Sequence, residues 1–197
     1  MNVLKIAAIN FIDSEQTLLS KTLSCASGYQ FIQNRNIHEW QKLYQIDDSQ
    51  IYSFKNQFLL LSSSFIKRSK SEFKCLAFVS NGAVFSEVLS LKSKMNEKSV
   101  ELDNPKEIEM IEILLDLTGR YAAQHYDMVI HVRNADSANF DELSISFYEK
   151  YHITYKLYDG NNIKDNLENI TRDVEIPIAL PVESAIYEAV RLVTFKN

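Results

Sequence analysis

Glycine is scarce in this sequence, which has four in 197 residues. Loops that wrap around phosphate groups commonly use several glycines, because glycine lets the backbone approach the phosphate closely. The low count therefore argues against a phosphate-transferring enzyme. Cysteine is also scarce: Cys25 and Cys75 have no CxxC spacing and no neighbouring His pair. The sequence predicts neither a disulfide framework nor a zinc site, and we expect no bound metal.

Long apolar runs and an excess of basic residues are absent as well. No run approaches the roughly 18–20 residues of a membrane span, and the N-terminus lacks a signal-peptide cleavage pattern. The formal net charge of −5 disfavours nucleic-acid binding, which depends on clustered Lys and Arg. The one basic run, "IKRSK" at 66–70, is predicted to be a solvated helix end. We expect an intracellular, cytoplasmic protein of a bacterial cell or a virus, with no nucleic-acid or membrane partner.

The overall composition is that of one folded domain. Hydrophobic residues make up 46% of the chain and charged residues 24%, as in ordinary globular proteins. Apolar, β-branched stretches predict strands at 3–12, 29–34, 74–81, 127–134 and 154–160. Amphipathic stretches predict helices at 14–27, 38–46, 48–71, 83–94, 105–125, 138–152 and 162–174. This alternation predicts an α/β fold, a three-layer sandwich with a mainly parallel sheet of about five strands.

The C-terminal residues are predicted to form an extension beyond the alternating strands and helices. Residues 1–174 hold the alternating elements, and 175–197 add a predicted strand, "EIPIAL", and a helix opened by Pro181. The simplest interpretation packs this extension on the same domain. The alternative is a surface for self-association or for a protein partner, carried by the last helix.

Three stretches of the chain follow one another in a characteristic order. They are "LKIAAINFIDSEQTLLSKTL", "CLAFVSNGAVFSEVLS" and "YDMVIHVRNADSANFDEL", the last followed by another strand and helix. Together they resemble the P-loop kinases of the nicotinamide riboside kinase type and the related small AAA-like ATPases. The resemblance covers residues 3–172 and implies a nucleotide-binding P-loop fold. In that family the three stretches hold the phosphate loop, an acidic strand end and a lid.

The resemblance places a degenerate phosphate loop at the start of the first helix. The family loop reads GxxxxGK followed by Ser or Thr, and only its last position is retained here. The matching residues of this chain are Asn10, Asp13, Ser14, Glu15, Gln16 and Thr17, with Asn10 and Glu15 at the two glycines and Gln16 at the lysine. At the acidic strand end the chain has Ser80, Asn81 and Gly82 instead of carboxylates. The lid has no Arg beyond Arg133.

These replacements weaken phosphate binding. Losing the lysine removes a contact of about 1.5–3 kcal/mol, and a glutamate about 5 Å from a phosphate repels it by about 3 kcal/mol. The sequence therefore predicts a pseudoenzyme with no catalytic residue and no cofactor, acting as a protein-binding or assembly module. The alternative is a divergent ATP-dependent nucleoside or nucleotide kinase, or an ATPase, that binds ATP and magnesium weakly, with Thr17 assisting the metal.

Two further groups of residues have a structural and a functional interpretation. Arg35, Glu39 and Trp40 lie where the related kinases recognise the acceptor substrate, but a Trp on a short amphipathic helix is commonly part of the core. His131, inside a predicted buried strand, is interpreted as a core histidine hydrogen-bonded to a neighbour.

Overall fold

The structure is a computed structural model, and the fold below is that of the residues it describes. These are 4–10, 13–33, 37–50, 53–97, 104–133, 138–159, 163–173 and 178–194.

A five-stranded parallel sheet forms the centre of the domain. Its strands are β1 (Lys5–Asn10), β2 (Gln30–Ile32), β3 (Phe78–Asn81), β4 (Met128–Arg133) and β5 (Tyr155–Asp159). The strand order is β2-β3-β1-β4-β5, and every neighbouring pair is parallel. In β1, Ile6 lies opposite Val79 of β3 on one side and Met128 of β4 on the other. The predicted α/β class and mainly parallel sheet are confirmed.

Helices cover both faces of the sheet. In the described residues they are α1 (Asp13–Ser27), α2 (Ile37–Leu43), α3 (Phe54–Phe73), α4 (Ser86–Asn96), α5 (Pro105–His125), α6 (Ala138–Tyr151), α7 (Ile163–Asp173) and α8 (Val182–Thr194). None of them is long and apolar enough to cross a membrane. Helix α5 has its predicted bounds: Pro105 is its first residue, and the Asn104 side chain caps it by accepting from Lys106 N–H at 3.1 Å.

Alternate residues of the strands pack on opposite faces. Val79 and Ile130 pack with α1 and α7, whereas their neighbours Phe78 and Val129 pack with the α4, α5 and α6 side chains. This alternation follows from the two-residue period of a strand. The central strands are therefore buried on both faces, which explains why they appear in the sequence as continuous apolar runs.

Three predicted boundaries are wrong. The helix predicted over 48–71 is a 3-10 turn at Asp48–Gln50 followed by α3, because Ser53 has extended backbone (φ −64°, ψ 139°) and interrupts the helical path. The helix predicted over 14–27 begins one residue earlier, at Asp13, so that Ser14 lies inside α1. The strand predicted over 175–180 has its described part, Ile178–Leu180, in a bend instead.

The C-terminal helix packs on the rest of the domain. Val182 and Ile186 of α8 join the apolar cluster between α1, α7 and the sheet, and Ala185 and Ala189 are fully buried. The bend before α8 is tied to the end of α1, since the N–H groups of residues 179 and 180 both donate to the Ala26 carbonyl.

A buried ion pair lies where α3 passes the end of β3. Arg68 Nε donates to Glu72 Oε1 at 2.8 Å, and both side chains are 1% exposed. Arg68 Nη2 also donates to Ser80 Oγ and to the Gly82 carbonyl. The prediction that 66–70 is a solvated helix end is therefore wrong for Arg68, although Lys67 and Lys70 are exposed.

Tyr126 extends this network to the turn after β3. Its hydroxyl donates to Glu72 Oε1 at 2.9 Å and accepts from Val84 N–H at 3.0 Å. Burial, together with the Glu72 carboxylate, raises the pKa of Tyr126 well above its usual value, so that the phenol stays protonated. The Arg68–Glu72–Tyr126 network thus fixes residues 80–84 against α3.

Removing one partner of the pair leaves a buried charge without its counter-ion. We expect Arg68→Met to lower the free energy of unfolding by about 3–5 kcal/mol, measured by urea denaturation. The exposed neighbour Lys67 provides the matched control, and Lys67→Met is expected to change it by less than about 0.5 kcal/mol. Equal effects of the two substitutions would show that the pair does not stabilise the fold.

Candidate functional site

The carboxyl edge of the sheet is the place where this topology forms a crevice. Strand β1 lies in the middle, and the chain crosses it in passing from β3 to β4. When the connections from two neighbouring parallel strands run in opposite directions, a crevice forms between the carboxyl ends of the two strands. Ligands bind in this crevice in sheets of this kind. The ends of β1, β3, β4 and β5 meet at this edge.

Helix α1 begins at this edge, directly after β1. Asn10 is the last residue of β1, and residues 13–16 form the first turn of α1. The first N–H groups of a helix have no partner within it, and together with the helix dipole they attract anions. The side chains of the predicted loop residues Asn10, Asp13, Ser14, Glu15 and Gln16 lie outside the described part of the structure.

Thr17 and Asn81 come together at the edge from distant parts of the chain. The side-chain amide of Asn81, the last residue of β3, donates from Nδ2 to Thr17 Oγ1 at 2.9 Å. Asn81 is 8% exposed. The Thr17 hydroxyl thus accepts a hydrogen bond from the last residue of β3. Its O–H proton and one lone pair are left for another group.

Arg133 and Asp159 form an ion pair at the other end of the edge. Arg133 ends β4 and Asp159 ends the neighbouring β5, so the parallel register sets them opposite each other. The guanidinium donates in a two-pronged manner, from Nε at 2.7 Å and from Nη2 at 2.6 Å. The Arg133 side chain is 42% exposed, and its charge is balanced by the Asp159 carboxylate.

Helix α3 carries buried polar side chains past the carboxyl edge. It runs antiparallel to β3, and Arg68 contacts the Gly82 carbonyl just beyond the strand. Residues before Arg68 therefore lie farther out, Ser64 by about 6 Å and Gln57 by about 16 Å, at 1.5 Å per residue. Ser64 Oγ donates to Glu87 Oε2 of α4 at 2.6 Å. Gln57 is 5% exposed and lies seven residues before Ser64, on the same side of α3. We call Gln57, Ser64 and Glu87 the polar wall.

The sequence analysis does not find this polar wall. Its signal is nevertheless present, because the buried residues of α3 include Gln57, Leu60, Leu61, Ser64, Arg68 and Glu72, which recur at helical spacing. Buried polar side chains need hydrogen-bond partners, so polar residues within the buried side of a helix indicate polar groups beside it. Lys67 and Lys70 lie next to these residues in the sequence, so a search for local charged runs predicts that the whole segment is exposed to solvent.

The predicted substrate residues have separate locations. Arg35 lies outside the described residues. Glu39 is exposed in the first turn of α2. Trp40 is 5% exposed, packs with Leu60 in a small cluster and stacks on Tyr44 with ring centroids 6.0 Å apart. Trp40 therefore lies in the core between α2 and α3.

His131 is a buried core histidine, as predicted. Its Nε2 lies 2.8 Å from Asp141 Oδ1, and its Nδ1 lies 2.8 Å from Tyr148 Oη. Burial raises the pKa of Tyr148, so the phenol keeps its proton and the three side chains tie β4 to α6. Among the described side chains, no cluster of three His, Cys, Asp or Glu is arranged to hold a metal ion.

Comparison with known proteins identifies the fold. No protein family and no curated protein matches the sequence. The chain is similar in structure to the deoxyadenosine kinase of M. mycoides, with a TM-score of 0.66 to the form with bound dATP and 0.60 to the form with dCMP and a flexible dCDP. Each match has 14% identity and covers 87% of this chain, and the matches cover 100% and 98% of the kinase chain. The chain has a P-loop kinase-like α/β fold.

Proposed function

We propose that this chain binds a nucleoside or nucleotide at the carboxyl edge of its sheet, as a divergent P-loop kinase with weak affinity for ATP. The observation that carries the proposal is the similarity to a nucleotide-bound deoxyadenosine kinase, which extends over essentially the whole kinase chain.

The phosphate end of the proposed site is the first turn of α1. Its N–H groups and the helix dipole supply an attraction for phosphate that depends on the backbone and not on particular side chains. Thr17 retains a hydroxyl for Mg²⁺, and ATP and magnesium are the proposed cosubstrate and cofactor. The loop that precedes Thr17 is interpreted as a phosphate loop that has lost its glycines and its lysine, which accounts for a weak affinity.

The nucleoside end of the proposed site is the polar wall. A nucleobase has hydrogen-bond donors and acceptors along one edge, and a Gln amide can match both kinds. Gln57 and the Ser64–Glu87 pair lie 6–16 Å beyond the level of Arg68, by the helix rise used above, on the open side of the edge. Substrates of this class include deoxyadenosine and nicotinamide riboside, which differ in the base that this wall would contact.

A non-catalytic binding or assembly module is the second candidate function. The Asn81–Thr17 hydrogen bond favours it, because it occupies one of the two lone pairs of the hydroxyl proposed to coordinate Mg²⁺. Phosphoryl transfer depends on positioned positive charge and a correctly placed acid or base. Ser80, at the strand end where the family has an acid, is bound to Arg68 in the buried network. This candidate predicts ligand binding or partner binding without turnover.

Ligand-dependent thermal unfolding distinguishes the proposal from an inert fold. A ligand at about ten times its Kd adds about 1.4 kcal/mol and raises Tm by about 3–6 °C for a domain of this size. We expect such a shift with deoxyadenosine or nicotinamide riboside, and a smaller, Mg²⁺-dependent shift with ATP. Gln57→Leu should abolish the nucleoside shift, whereas Gln124→Leu on exposed α5 should retain it. No shift with any of these ligands at millimolar concentration would contradict the proposal.

Rebuilding the phosphate loop tests whether the segment is a degenerate nucleotide site. The double substitution Glu15→Gly and Gln16→Lys removes a repulsive carboxylate and restores the phosphate-binding charge. We expect it to tighten ATP·Mg²⁺ binding by about a hundredfold or more in calorimetric titration. The control Glu15→Gly with Gln16→Met changes the same positions without adding the charge and should gain much less. Equal affinities of the two variants would show that phosphate does not bind beside Gln16.

A further inference from the structure

The end of β3 contains an asparagine that is followed directly by a glycine. The chain has four glycines, and only Gly82 follows an asparagine, Asn81. An asparagine in this position is prone to lose its side-chain amide, because the glycine has no side chain to hinder the approach of its backbone nitrogen. Gly82 has a φ of 79°, in the region that glycine adopts most readily. The carboxyl edge of the sheet therefore carries a chemically labile pair of residues.

The loss of the amide is an intramolecular displacement. The backbone nitrogen of Gly82 attacks Cγ of Asn81, the Cγ–Nδ2 bond breaks, and ammonia leaves with the proton of the attacking nitrogen. This step closes a succinimide ring. Water then adds to one of the ring carbonyls and opens the ring, which leaves aspartate or isoaspartate in place of Asn81. Water is the only co-reactant, and nothing is oxidised or reduced.

The fold restrains both of the reacting groups. Asn81 belongs to β3 and is 8% exposed, and its Nδ2, the leaving nitrogen, donates to Thr17 Oγ1 at 2.9 Å. On either side of it, Ser80 Oγ and the Gly82 carbonyl accept from Arg68 Nη2. Ring closure turns the Gly82 nitrogen towards the Asn81 side chain, out of the extended geometry of a strand. These hydrogen bonds must therefore open before the ring can form.

From this arrangement we propose that Asn81 is a deamidation site whose rate is controlled by the fold, through the Thr17 hydrogen bond and the Arg68 network. The reaction proceeds when the end of β3 opens locally. Its product is a new carboxylate at the carboxyl edge of the sheet, where the described part of β3 otherwise ends in neutral side chains.

The aspartate product reverses the hydrogen bond to Thr17. The amide nitrogen of Asn81 is a donor, whereas a carboxylate only accepts. After the reaction, Thr17 must donate its own proton to residue 81, and both lone pairs of its oxygen become available. The edge also gains a negative charge. Both changes favour a cation and disfavour a phosphate group that arrives without one.

The isoaspartate product changes the backbone as well. In isoaspartate the main chain runs through the side-chain carbon atoms, so the turn after β3 becomes longer by a methylene group. The Gly82 carbonyl is then displaced from Arg68, to which it is bonded in the natural chain.

Peptide mass spectrometry after incubation in a mildly alkaline buffer tests the proposal. We expect Asn81 to react fastest in urea and slowest in the folded natural chain. Folded Thr17→Val should react about fivefold faster than the folded natural chain, which is the rate factor for a neutral hydrogen bond. Thr17→Ser retains the hydroxyl and should retain the natural rate. In urea the natural chain and Thr17→Val should react alike, because Thr17 is then remote from Asn81.

Two controls separate this local effect from a general loss of stability. Thr171→Val removes a buried hydroxyl of α7 that donates to the Leu167 carbonyl at 2.9 Å, far from β3 in the chain, and should leave the rate at Asn81 unchanged. Asn169, which is followed by the branched Ile170, should keep its amide in the same digests. The proposal is overturned if folded Asn81 reacts as fast as in urea, or if Thr17→Val reacts no faster than Thr171→Val.

The effect of the new carboxylate on ligands rests on the proposed function and is measured separately. Asn81→Asp carries the charge from the start, and Asn81→Leu removes the hydrogen bond without adding charge. In calorimetric titration with tripolyphosphate, Asn81→Asp should bind at least about tenfold more weakly than the natural chain without Mg²⁺, and Mg²⁺ should reverse this loss. Asn81→Leu should show no such reversal.

The outcomes of this titration are distinguishable from those of the rate measurement. An equal response of Asn81→Asp and Asn81→Leu to Mg²⁺ would overturn the inferred role of the carboxylate. A natural chain that binds neither tripolyphosphate nor a nucleoside would contradict the proposed function alone, because the deamidation rates are measured without any ligand.

Discussion

The buried Arg68–Glu72 pair is the interaction on which the carboxyl edge of this sheet depends. Two charges taken out of water are unfavourable unless their remaining hydrogen-bonding groups are satisfied. Here Tyr126 bonds to Glu72, and Ser80 and the Gly82 carbonyl accept from Arg68 Nη2, whereas Arg68 Nη1 is buried with no hydrogen-bond partner among the described residues. The same bonds hold the turn after β3 against α3. Asn81 is the last residue of β3 and lies between Ser80 and Gly82, which both bond to Arg68, so the network positions its hydrogen bond to Thr17.

Helix α3 connects the candidate site with the rest of the molecule because it has three different sides. Its inward side carries Gln57, Ser64 and Arg68, which line the space above the sheet and fix the end of β3. A second side packs on α5 through Phe65. Its outward side carries the exposed apolar side chains of Leu59, Ile66 and Phe73.

The proposed site is unequal in its two halves. The phosphate half has a helix N-terminus and a hydroxyl, and the sequence lacks the glycines and the lysine that would complete it. The nucleoside half retains a buried amide and a Ser–Glu pair. A protein of this kind is expected to recognise the nucleoside more firmly than the triphosphate. Because the phosphate half is incomplete, a ligand can bind at this site with or without phosphoryl transfer. The two candidate functions differ in that transfer.

Much of the fold follows from the sequence. The strands β1 and β4 are mostly apolar, and α5 has both an Asn cap and a first-position Pro, so their placement depends on local chemistry. The start of α3 is harder to predict, because Ser53 is the N-cap of the helix in extended backbone and its side chain makes no cap hydrogen bond. The burial of Arg68 within a basic run is a tertiary effect. The Thr17–Asn81 contact joins residues 64 positions apart, and neither local segment predicts it.

The central claim is that a nucleoside binds at the carboxyl edge, and amide chemical-shift mapping tests it most directly. The ¹⁵N-labelled chain would be titrated with deoxyadenosine, and then with ATP·Mg²⁺. The account predicts nucleoside-induced shifts that cluster at Gln57, Ser64 and residues 81–87, and ATP-induced shifts in the first turn of α1. Saturating shifts confined to another surface, or none at millimolar ligand, would contradict it.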